Sequence, residues 1–162
     1  MRFDAEHDFA GPPDAVIDLL ADVEFHEQLR LPDLAQPQLL VSDANDDAVV
    51  LRLRYEYVGT LDPLARGLLG DRSLTWIQEL RLDRTGRTGR LDFHAEAEPR
   101  RLHGHADFVI EPRNSGSQRR LRGELVVAIP AVGGMAERRI LPGLLRRLDV
   151  EARAIDERLR AG

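Results

Sequence analysis

The feature that most constrains this chain is a change in its hydrophobic period. Over the first four fifths, apolar residues recur mainly at every second position; from about residue 131 they recur every three to four. Phe3, Ala5, His7 and Phe9 alternate with Arg2, Asp4, Glu6 and Asp8, the pattern of a half-buried strand that stops at Gly11-Pro12-Pro13. Pro13 and Asp14 suit a helix start, Val16 to Ala21 supply its apolar stripe, and a second short helical piece spans Glu24 to Leu29 before Pro32. Alternation returns at Gln38 to Ser42, then at Val49, Leu51, Leu53, Tyr55 and Tyr57, with Asn45 to Asp47 as the turn between. Four more one-sided strands carry Leu74, Trp76, Leu80 and Leu82; Leu91, Phe93, Ala95 and Ala97; Leu102 to Ile110; and Leu121 to Ile129. Short turns at 84–89 and 114–117 join them, which argues for an antiparallel meander with one wet face.

The final segment places Leu141, Leu144, Leu145, Leu148, Ala152, Ile155 and Leu159 on one stripe, with Arg146, Arg147, Arg153, Glu157 and Arg158 away from it. Pro142 is expected either to kink this long helix or to open a second, straighter segment. The simplest burial of all these one-sided surfaces lays the helix across the concave face of the sheet. The fold class is therefore α+β: a seven-stranded curved antiparallel sheet around a long C-terminal helix, with two short helices after the first strand. Thr60 to Gly70 interrupts the meander, with leucines at near-helical spacing and glycines at its borders. It reads as a short helix or flap, either plugging one end of the core or acting as a lid.

A length of 162 residues suits one domain, residues 1 to 162, that buries about 70% of its unfolded surface. Cysteine is absent, which excludes disulfides, thiolate metal sites and a cysteine nucleophile. No apolar run reaches the roughly 18 residues of a spanning helix, and the N-terminus lacks a secretory pattern, so the expected location is cytoplasmic. All 23 basic residues are Arg, a skew that a GC-rich genome produces without functional cause. The net charge of -5 is unevenly spread: residues 1–81 carry 7 Arg against 16 acids, and residues 82–162 carry 16 against 12. With only 5% aromatic residues, the Arg clusters at 84–90, 100–101 and 119–122 do not make a nucleic-acid surface; they read as solvated strand faces.

The order of elements resembles the helix-grip fold of the START-related superfamily, also called SRPBCC, over nearly the whole chain. More narrowly, Phe3 to Phe9 with Pro12 to Val16, the run Leu69 to Trp76, and Gly123 to Leu125 with Ile129 to Gly134 look like a small actinobacterial branch of that superfamily without assigned function. The resemblance implies an apolar cavity between sheet and helix of the kind that holds a lipid, sterol or polyketide in relatives. It brings no catalytic motif.

By parity and helical stripe, the expected ligand-lining residues are His7, Tyr55, Tyr57, Trp76, Phe93, Phe108, Leu125, Leu141, Leu145 and Leu148. Gly and Ala at inward positions 95, 97, 104, 106 and 123 would leave space, or allow close packing. The lining is expected to be almost free of charge, with Arg119, Arg120 and Arg122 on the outer face. His94, His103 and His105 share the outward parity, but an exposed strand face seldom fixes metal ligands, so no metal or cofactor is expected. Gly133-Gly134 lacks the Walker spacing and reads as a tight turn or close packing. The leading reading is a non-enzymatic binding protein for a small hydrophobic or amphipathic ligand, with no nucleic-acid partner and no membrane span. One alternative is a polyketide cyclase or dehydratase using His7 with Tyr55 or Tyr57 as acid and base. Another is a co-chaperone-like interaction module that offers its Arg-rich outer face to an acidic partner.

Overall fold

Each segment of two-residue period forms a strand in the computed structural model, which describes residues 1–162. The elements are β1 (Arg2–Phe9), α1 (Pro13–Ala21), α2 (Val23–Gln28), β2 (Gln38–Ala44), β3 (Ala48–Glu56), α3 (Pro63–Leu69), β4 (Thr75–Asp83), β5 (Thr88–Ala95), β6 (Leu102–Arg113), β7 (Gly116–Val127) and α4 (Gly133–Ala161). The seven strands form one antiparallel sheet in the order β1-β7-β6-β5-β4-β3-β2, so every neighbouring pair but one is consecutive in sequence. The exception brings β1 against β7, with Arg2 opposite Glu124 and Phe9 opposite Ser117. A register shift between Leu39 and Val41 marks β2, an edge strand that is almost wholly exposed.

Local chemistry explains where the helices start and stop. Pro13 occupies the first turn of α1, where a missing N–H costs nothing. The Asp22 carboxylate accepts a hydrogen bond from the Glu24 N–H at 3.0 Å and caps α2. Asp62 does the same for α3 through the Ala65 N–H at 2.8 Å. The segment 60–70 thus contains the short helix Pro63–Leu69, yet none of its residues is buried. The C-terminal helix runs unbroken for 29 residues through Pro142, which faces solvent with Gly143. Gly133 begins it because a Cβ there would meet the carbonyl of Val127.

The grip has two ends. At one lie the β6–β7 turn, α1, α2 and the C-terminal half of α4, where Val16, Ile17, Leu20, Phe25, Leu51, Leu121, Leu148 and Ile155 form a sealed core. At the other lie α3, the first half of α4 and the opposite strand ends. There Trp76, Ile140, Leu141, Leu144 and Leu145 pack against the core but remain half-buried, while Val58 and Met135 are exposed.

The small inward residues do not open a cavity within the sheet. The ring of Phe93 lies where a Gly104 side chain would be, Phe108 covers Gly89, and Phe3 covers Gly123. Each pairing joins cross-strand partners, with an aromatic ring on one strand lying over the glycine of the next.

Candidate functional site

The concave face carries charge, contrary to the expectation of an uncharged lining. Arg119 shares the inward parity of Leu121 and is only 1% exposed, so it is absent from the outer face where its neighbours Arg120 and Arg122 lie. Its guanidinium donates to Glu151 of α4 at 2.7 Å and lies 5.7 Å from the centre of the Phe108 ring and 5.9 Å from that of Phe9. Burial alone would raise the Glu151 carboxyl, but Arg119 beside it, with His26 and Arg147 farther off, holds it below the ordinary value. The pair is ionised, and its partners come from β7 and α4.

His7 completes this network from β1. Its Nε2 lies 3.1 Å from the Asp149 carboxylate, and its Nδ1 accepts from the Arg119 guanidinium at 3.1 and 3.3 Å. A carboxylate accepts and a guanidinium donates, so Nε2 carries the proton and the ring is neutral. Burial, and then the Arg119 charge, lower the His7 pKa, while Asp149 opposes them. Both ring nitrogens are therefore engaged, by Asp149 and Arg119, and neither bonds to a tyrosine hydroxyl.

His26, from α2, is the other buried histidine. Its Nε2 donates to the Leu20 carbonyl at 2.7 Å and its ring meets Phe25 edge-on. Its Nδ1 is the one fully enclosed side-chain polar atom without a partner.

A second polar group sits nearer the half-open end. Tyr55 and Trp76, opposite each other on β3 and β4, stack with centroids 5.6 Å apart and planes 15° apart. Arg147, expected on the outer face of α4, instead reaches inward: its guanidinium lies 5.1 Å from the centre of Tyr55 and 5.9 Å from that of Trp76, and it donates to the amide oxygen of buried Gln78. It forms no salt bridge. Burial pushes the Tyr55 hydroxyl up to about 12. The Tyr55 hydroxyl and the Gln78 amide nitrogen have no protein partner; the two residues are only 3% and 2% exposed, but neither atom is fully enclosed.

The remaining expected lining residues divide between the two ends. Phe93, Phe108, Leu125 and Leu148 are buried in the core, whereas Trp76, Leu141 and Leu145 are half-buried at the open end. Tyr57 leaves the lining: past the end of β3 it bridges Leu34, folds its ring over Gly59 and donates to the Thr60 carbonyl at 3.1 Å. The two main hollows lie outside the grip. One, of about 740 Å³, is a groove on the convex face lined by Asp4, Glu6, Arg81, Arg90, Asp107 and Arg122 among others; the second, of about 410 Å³, lies between α2 and α4. The convex face is laced with ion pairs such as Arg90 with Asp107 and Arg120 with Glu111, so its arginines are largely neutralised. On the same face His94 and His103 are direct cross-strand partners.

A seven-stranded antiparallel sheet gripping one long helix, with two short helices after the first strand, defines the helix-grip fold. Solved structures share this architecture over almost their whole length. TTHA0849 from Thermus thermophilus matches with a TM-score of 0.71 at 16% identity, covering 99% of this chain and 98% of its own. The Zhui aromatase/cyclase from Streptomyces sp. R1128 matches with a TM-score of 0.66 at 17% identity, covering 99% and 96%. Ara h 8.0201 matches with a TM-score of 0.62 at 10% identity, covering 100% and 99%. At such identities the likeness is one of fold. The chain itself belongs to the DUF2505 family, described as a protein of unknown function, which it matches over residues 4–159. No curated protein sequence matches it. No helix is long and apolar enough to cross a membrane.

Proposed function

We propose that the protein binds a small hydrophobic or amphipathic molecule at the half-open end of the grip, between β3–β5 and the first half of α4. The observation that carries this reading is the contrast in burial along one continuous apolar face. The same sheet and helix that seal Leu51, Leu121, Leu148 and Ile155 leave Trp76, Ile140, Leu141, Leu144 and Leu145 only partly buried. Apolar side chains left only partly buried favour an apolar occupant, because burying each contributes roughly 25 cal/mol per Å². The helix α3 stands at this end without a buried residue, tied to α4 by the Asp62 carboxylate and Arg139 at 3.5 Å, where it would act either as a plug or as a lid.

The engaged state of His7 supports binding rather than proton transfer at that residue. Its lone pair already accepts from Arg119, and abstracting a substrate proton would require that bond to break. Native mass spectrometry of the purified protein, before and after extraction with organic solvent, tests the proposal. The expected result is a bound mass that extraction removes and added lipid extract restores. A clean unliganded mass, together with no response to added lipid extract, overturns it.

A further inference from the structure

Resting on that reading, we infer that Arg147, with the Tyr55 hydroxyl and the Gln78 amide, forms a recognition site for the carboxylate of a hydrophobic acid. The ligand class is therefore an apolar body ending in one anionic oxygen pair.

The argument begins with charge accounting on the inner face of α4. Asp149, Glu151 and Arg147 lie within two turns of one another, but the two acids are already committed. Glu151 accepts from Arg119 at 2.7 Å, and Asp149 accepts from His7 at 3.1 Å. Arg147 is left with an amide oxygen and two aromatic faces as partners, and with Glu151 only at longer electrostatic range. A guanidinium has five N–H donors in a planar fork, and one amide oxygen leaves most of them unused. A half-buried cation in an apolar surrounding, with no carboxylate from its own chain, is complementary to a carboxylate from elsewhere.

Two further donors lie around the same guanidinium. The Tyr55 hydroxyl stays protonated across the physiological range and has no acceptor in the protein. The Gln78 amide turns its oxygen to Arg147, which leaves its NH₂ group free of protein partners. Donors without acceptors, beside half-buried leucines on α4, describe the polar end of an amphipathic site. The stacked rings of Tyr55 and Trp76 hold the guanidinium in place, which spares some of the entropy of ordering it.

The chain contains a single tryptophan, Trp76, so its intrinsic fluorescence reports directly on this site. The test is a titration at pH 7.5 of dodecanoate and of 1-dodecanol, both below their aggregation limits, against wild type, Arg147→Gln, Arg147→Lys and Tyr55→Phe. The expected result is that wild type prefers the acid over the alcohol by about tenfold or more, the scale of a hydrogen bond to a charged group. Arg147→Gln should abolish the preference, lowering the affinity for the acid far more than that for dodecanol. Arg147→Lys should retain part of it, and Tyr55→Phe should reduce it a few-fold for the acid alone. Equal affinity for acid and alcohol in wild type overturns the carboxylate site and leaves the hydrophobic-ligand reading standing. No response to either probe in wild type, by fluorescence or native mass, overturns both. If Arg147→Gln does not fold, the lysine and phenylalanine variants decide, and an unchanged acid preference in both counts against the site.

Discussion

The two ends of the grip are built from the same sheet and the same helix, yet they use polar residues in opposite ways. At the sealed end, Arg119 is enclosed with Glu151 and His7, and the guanidinium, the carboxylate and the imidazole each have a charged or polar partner at hydrogen-bond distance. At the half-open end, Arg147 lies over two aromatic rings with no acid of its own, beside a hydroxyl and an amide nitrogen that lack partners. A fully satisfied polar cluster locks a core into one arrangement, whereas an incompletely satisfied one leaves binding capacity. The contrast separates a structural polar network from a recognition site within a few turns of one helix.

The largest effect expected from that contrast is on stability at the sealed end. Glu151→Ala strands the Arg119 guanidinium among Phe9 and Phe108 and should destabilise the protein by about 3 to 5 kcal/mol in urea unfolding. Replacing both partners, Arg119→Met with Glu151→Leu, should recover most of the loss, because no charge is then left without a partner. A small effect from Glu151→Ala would mean that the network is solvated and that the two ends do not differ. Next in size is a pair of leucines from α4. Leu148→Ala in the sealed core should cost about 2 to 5 kcal/mol, since the cavity it leaves cannot collapse. Leu141→Ala, half-buried at the other end, should cost under about 1.5 kcal/mol while weakening ligand binding. Equal costs would erase the distinction.

Most of the sealed end was legible in the sequence as fold and illegible as chemistry. Alternation in β1 and β3 to β7 predicted which residues face inward, because a strand's period is two whatever the residues are. By that rule Arg119, two positions from Leu121, and Gln78, between Trp76 and Leu80, belong inside; their polarity argued the other way. What reverses that expectation is a partner far along the chain: Glu151 is 32 residues from Arg119, and Asp149 is 142 from His7. No local pattern records such pairs. Arg147 was hidden similarly, since it sits at the margin of the leucine stripe, where a long side chain turns to whichever side offers aromatic faces. The inward glycines could mean either space or close packing, and the flat rings of Phe3, Phe93 and Phe108 over them decide for packing.

The sealed network also gives the protein a directed pH response. The folded state lowers the His7 pKa below 6.5, so the unfolded chain takes up that proton first and stability falls as the pH drops below 6.5. Glu151 is likewise lowered from 4.5, so its contribution is present above that value and is lost on further acidification. Unfolding midpoints measured from pH 8 to pH 2 should therefore decline in two steps, the first beginning below 6.5 and the second below 4.5. His7→Gln should remove the upper step and keep the lower one. An upper step that survives the substitution would assign it to another group and take His7 out of the network's energetics.

The smallest expected effect lies at the half-open end and concerns motion. A helix of seven residues is too short to be stable by itself, and α3 has no buried side chain to anchor it. Its order depends on the Asp62 cap at the Ala65 N–H and on the reach of Arg139 to the same carboxylate. Asp62→Ala removes both ties without touching the sealed core. Hydrogen exchange of the α3 amides should quicken markedly while the global unfolding midpoint stays unchanged, and a bound probe should dissociate faster. If the amides quicken but dissociation does not, α3 is a plug beside the site rather than its gate, and the ligand enters between α4 and the strand ends instead.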